Sequence, residues 1–180
     1  MLMKRLVTIA VMALLSSSIW AQDKPASLIR VDSKEVGDFD WTNYYIVVTT
    51  DLNTNEKSYQ LLLSGSINDL AFRYYFDPSV AAELISVFRY LTSVSFEPPA
   101  RWESTEIICN ISPDLYFKLD PTSKKKRIDL MVHNDLSADS RIAEIQEDEY
   151  AEYGKIMNDL EQIFKDKGCQ LDVKKYNSGN

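Results

Sequence analysis

The sequence predicts an α+β domain: one antiparallel sheet of about five to seven strands, built from hairpins, with two main helices packed on one face. Two observations predict it. Apolar and polar residues alternate in short runs joined by turn-forming residues over 44–76 and 106–133, whereas 78–94 and 138–167 repeat their apolar positions at the 3.6-residue helical period. Strands grouped in hairpins with a helix after each group read as α+β, not as alternating βαβ units.

Residues 28–36 are mixed in character. Tyr44, Ile46 and Val48 then alternate with Tyr45, Val47 and Thr49, and Tyr59, Leu61 and Leu63 line one face of the next run. Between these runs lies Asp51-Leu-Asn-Thr-Asn-Glu-Lys57, whose residues tolerate turns and left-handed backbone, so the pair reads as a hairpin. A further strand ends in Phe72-Arg-Tyr-Tyr-Phe76, with Phe72, Tyr74 and Phe76 on one side and Arg73 and Tyr75 on the other.

Asp77-Pro78 supplies an N-cap and a first helical residue. Val80, Ala81, Leu84, Ile85, Val87, Phe88 and Leu91 form the apolar stripe of a helix over 78–94. Phe96-Glu-Pro-Pro-Ala-Arg-Trp102 interrupts the pattern, because consecutive prolines continue neither helix nor central strand. Strands resume with Ile107, Cys109 and Ile111 on one face. Leu115, Phe117 and Leu119 then face Ile128, Leu130 and Val132 in a second hairpin, leaving Tyr116, Lys118, Asp129, Met131 and His133 opposite. The second helix is expected over 138–167, divisible at Gly154 and stopped by Gly168.

The N-terminus has the form of a secretory leader: Lys4-Arg5, an aliphatic stretch from Leu6 to Leu15, and small residues ending at Ala21. Ten residues fall far short of the roughly 20 apolar residues that span a bilayer. The expected layout is a cleaved leader at 1–21, a frayed start at 22–26, a single domain at 27–176 and a frayed end at 177–180. With no cysteine near Ala21 to accept a lipid, a soluble secreted or periplasmic product follows, with no membrane span in its mature form.

Lys4 and Arg5 leave with the leader, taking the 20 cations to 18 against 27 anions, a net charge of −9. That balance argues against nucleic acid as a partner and for basic protein or envelope partners. Nothing in the sequence specifies an oligomeric state. The only two cysteines, Cys109 and Cys169, are expected to form one disulfide, as an even pair does in an exported chain. The ring of about 60 residues would add on the order of 4 kcal/mol in the chain-entropy model.

Composition removes most catalytic chemistry. The single histidine, His133, stands in no H-E-x-x-H, G-x-S-x-G or Cys-His pattern and reads as a strand-end residue on a polar face. Asp51, Asn53 and Asn55 match the first three ligand positions of a calcium loop. Glu56 and Leu62, however, stand where such a loop needs Gly and a bidentate Glu. Ser123-Lys-Lys-Lys126 spells S-x-x-K in a hairpin loop instead of at a helix start, and its lysines read as a solvated turn. No metal or cofactor is expected.

The aromatic residues are the most suggestive, since rings with a polar edge anchor interfaces. Trp41, Tyr44, Tyr75 and Trp102 are the candidate contact residues. Asp38 and Asp40 flank Phe39 beside Trp41, which is the position a carboxylate-dependent hydrolase would use. The acidic run from Glu144 to Glu152 reads as a solvated helix face able to steer a basic partner. The leading expectation is an exported, non-catalytic interaction domain. A glycan-binding module using Trp and Tyr rings, and a carboxylate hydrolase, are the alternatives.

Overall fold

The computed structural model describes residues 28–67, 69–95, 106–120, 126–133 and 138–176. The leader at 1–21, the expected frayed ends, the loop carrying Trp102 and the lysine turn at 123–125 lie outside these residues. The described residues divide into two compact units, one of residues 28–30 and 50–56, the other of the described residues within 31–49 and 57–176. In the first, Leu52 N–H donates to the Leu28 carbonyl at 2.8 Å. The Asp51 carboxylate accepts from Asn53 N–H at 2.7 Å and Thr54 N–H at 3.2 Å, so it builds the turn that the sequence placed there.

Four strands come first: β1 (Ile29–Phe39), β2 (Thr42–Asp51), β3 (Lys57–Ile67) and β4 (Leu70–Phe76). Helix α1 (Pro78–Ser93) follows, then β5 (Ile107–Ser112), β6 (Leu115–Asp120), β7 (Arg127–Val132), β8 (Ser140–Gln146), a 3-10 turn at Glu147–Glu149 and helix α2 (Tyr150–Asp166). The α+β class holds, but the single sheet of five to seven strands is corrected to two antiparallel sheets of four, ordered β1-β2-β3-β4 and β5-β6-β7-β8. Alternation shows which face of a strand is buried and says nothing about its lateral neighbour. Here each meander pairs internally and is followed by its own helix.

The second hairpin has the register its apolar pattern demands, with Leu115, Phe117 and Leu119 opposite Val132, Leu130 and Ile128. Helix α1 starts at Pro78, where the Asp77 carbonyl accepts from Val80 and Ala81 N–H at 3.0 and 3.3 Å while its carboxylate makes no capping bond. Helix α2 runs unbroken through Gly154 and ends in a Schellman turn: Gly168 N–H reaches Lys165 O at 3.0 Å and Cys169 N–H reaches Phe164 O at 2.9 Å. Gly168 sits at φ 95°, which a side chain would strain.

The second helix does not begin at 138, because 140–146 form β8. Between Leu130 and Met131 the register with β8 shifts, so Ala143 faces Leu130, Arg141 faces Met131, and Ile142 is the extra bulged residue. Ile142, Ala143 and Ile145 are therefore all buried in a strand, and the bulge imitates helical spacing.

One apolar cluster joins α1 and α2 to the inner faces of both sheets, with Phe88 and Tyr153 ring centroids 4.8 Å apart at its centre. Cys109 and Cys169 both pack at its margin and both are free thiols, which corrects the expected disulfide. Each sulfur fills its own place as a small hydrophobe, Cys109 on the inner side of β5 and Cys169 just past the Schellman turn, and burial pushes both thiols up. Among the described residues no helix is long and apolar enough to cross a membrane.

Candidate functional site

The tight connection between β1 and β2 is where the candidate site is built. Asp40 occupies the left-handed region at φ 53°, and Trp41 follows it into β2. Gly65 on β3 makes this approach feasible, since a Cβ there would lie 1.8 Å from the Trp41 carbonyl oxygen. Two bonds then tie the turn to β8. Thr42 Oγ1 donates to the Ile142 carbonyl at 2.6 Å, and the Asp40 carboxylate accepts from Glu144 N–H at 2.9 Å.

A cleft of about 440 Å³ opens beside this junction. Asp38, Phe39, Asp40 and Trp41 form one wall, β8 contributes Arg141, Glu144 and Gln146, and Glu149 and Glu152 stand at the start of α2. Five of these residues are carboxylates and one is a cation. Arg141 is already engaged: its guanidinium lies 5.5 Å from the centroid of the Trp41 ring and pairs with Glu144 and, at 3.6 Å, with buried Asp129. Gln146 organises the acids, its side chain donating to Glu144 at 2.6 Å and its N–H to Glu149 at 2.8 Å. Glu149 and Glu152 also complement the positive end of α2.

Burial raises the Asp40 carboxyl above the ordinary carboxylate range; the Glu144 N–H lowers it, the Glu144 charge raises it, Arg141 lowers it and Glu149 raises it. Burial likewise raises Asp129, against the pull of Arg127 and Arg141. A cleft of this charge favours cationic ligand groups, with the Trp41 indole, 41% exposed, as an aromatic edge at its wall.

The candidate contact residues separate. Trp41 lines the acidic cleft, whereas Tyr75, 52% exposed, stands on the outer face of β4. Tyr44 is corrected from contact residue to core: it is fully buried, and its hydroxyl shares a 2.8 Å hydrogen bond with that of Tyr153. Trp102 lies outside the described residues. The acidic run is not one helix face, because Glu144 belongs to β8, while Glu149 closes the 3-10 turn and Glu152 opens α2. The carboxylates themselves were visible in the sequence, but Arg141 was not singled out, and only its proximity to Trp41 reveals its part.

His133 lies at the end of β7, with Nδ1 2.8 Å from the Asp139 carboxylate, whose other oxygen accepts from Tyr116 O–H at 2.6 Å. Burial, then the Asp139 bond and charge, push Tyr116 up to about 12. Among the described residues no group of three or more His, Cys, Asp or Glu is placed to hold a metal. No protein-family model and no curated protein sequence matches this chain.

Proposed function

We propose that the protein is an exported, non-catalytic interaction domain that takes a basic group of a protein or envelope partner into the Trp41 cleft. An inhibitor of a basic extracellular enzyme is one specific form of this reading. The observation that carries it is the gathering of five carboxylates and an accessible indole around one cleft in which the one cation among the described lining residues, Arg141, is already ion-paired. Strong negative charge speeds the capture of a basic partner, and an aromatic edge stacks on a guanidinium. Export rests on the leader pattern from Lys4 to Ala21.

The test uses a defined arginine-rich peptide and a small basic enzyme, titrated calorimetrically against the protein at low and high salt. Saturable binding that weakens with salt and falls with Trp41→Ala and with Glu149→Gln is the expected result. No saturable binding at low salt, or binding indifferent to both substitutions, defeats the proposal.

A second reading has one observation in its favour. A carboxylate hydrolase needs an acid held protonated above its ordinary range, and Asp40 is shifted in that direction beside Asp38. Polysaccharide hydrolysis abolished by Asp40→Asn would support it, and a panel showing no turnover would remove it.

A further inference from the structure

The face of the first sheet turned away from the apolar cluster carries a second groove, of about 500 Å³. Its floor is apolar and recessed. Val47 and Leu62 point outward by strand alternation, yet are only 5% and 9% exposed, so the side chains around them stand up as walls. The walls are aromatic and polar. Tyr75 lies opposite Leu62 in the β3–β4 register and Arg73 opposite Ser64, with Tyr45 and Gln60 also lining the groove.

The charge of this lining is the reverse of the Trp41 cleft. In a chain of net charge −7, the described residues that line it include no carboxylate, and the one formally charged side chain among them is Arg73. Among the described residues Arg73 makes no ion pair. Tyr75 and Arg73 are two apart on one strand face, about 7 Å from each other along the strand, so a single bound chain reaches both.

We propose that this groove binds an acidic glycan, one ring stacking on Tyr75 while a carboxylate of the chain pairs with Arg73. Charge complementarity selects an anionic ligand over a basic one. The recessed aliphatics beneath hydroxyl, amide and phenol groups suit a flat polyhydroxylated ring better than a lipid chain. The site is independent of the acidic cleft and stands whether or not that cleft binds a basic partner.

The experiment titrates the full chain with a tetramer of galacturonic acid and with the neutral galactose tetramer, by calorimetry and by sedimentation. The expected result is saturable binding of the uronate in preference to the neutral sugar. Tyr75→Ala should weaken it about tenfold, and Arg73→Gln should erase the preference for the acidic chain. Both residues are solvent-exposed, and circular dichroism checks that each variant is folded. Failure to bind the uronate, equal binding of the neutral tetramer, or binding unaffected by both substitutions overturns the proposal. So does a dimer dissolved by Tyr75→Ala, which would make the occupant a second copy of the chain.

Discussion

The Tyr44–Tyr153 pair offers a stringent test of how the core is organised. Both residues are fully buried, their hydroxyls are 2.8 Å apart, and their rings meet edge to face with centroids 5.8 Å apart. Burial is the main force pushing both phenols up, and the charge of Asp40 adds to it at Tyr44, so the pair stays neutral across the ordinary pH range. Removing one hydroxyl leaves the other buried without a partner, at a cost of about 1–3 kcal/mol. Removing both replaces the pair with apolar rings of nearly the same shape and costs close to nothing. Tyr44→Phe and Tyr153→Phe should therefore each lower Tm, by roughly 2–4 °C per kcal/mol in a chain of this size, while the double variant returns most of the loss. Urea unfolding of the four proteins, followed by circular dichroism, gives the coupling energy directly. A double variant that loses the sum of the two single effects would show that the hydroxyls are satisfied separately, and the assigned bond would be wrong.

Other outcomes follow from the same geometry. Gly65→Ala should displace the β1–β2 turn, lowering stability and changing Trp41 emission, because its Cβ collides with the Trp41 carbonyl; a variant with unchanged melting and emission contradicts that approach. Because the folded-state carboxyl of Asp40 is raised, its favourable contribution is present below about pH 4, the ordinary carboxylate value, and is lost as pH rises through the folded value. Asp40→Asn, which keeps an acceptor for Glu144 N–H, should thus gain stability relative to the parent on going from acid to neutral pH, and urea midpoints that move the other way refute the assignment. Cys109 and Cys169 should titrate as two thiols in denaturant and react more slowly in the native protein, where burial raises both; a count of zero in unreduced protein would show them bridged.

The second hairpin was legible in advance because its signal is local: Leu115, Phe117 and Leu119 alternate with polar neighbours, and one register buries them all. The start of α1 at Pro78 and the stop of α2 at Gly168 were legible for the same reason, since one residue's φ decides each. The strand at 140–146 was not, because the bulge at Ile142 breaks the period by which strands are recognised. Nor could Tyr44 be told from Tyr45. Adjacent residues of one strand differ in face, and the partner that makes Tyr44 a core residue lies 109 positions away.

Alternation, helical period, turn chemistry and charge balance each involve neighbours in the chain, so the sequence by itself determined the α+β class, most element positions and the acidic character. The division into two sheets, the separate lodging of the cysteines and the meeting of Asp40 with Glu144, 104 residues apart, were decided only by tertiary structure. The physical reason is that lateral strand pairing and shared clefts depend on which distant surfaces pack together, and a surface pattern compatible with one partner is compatible with many.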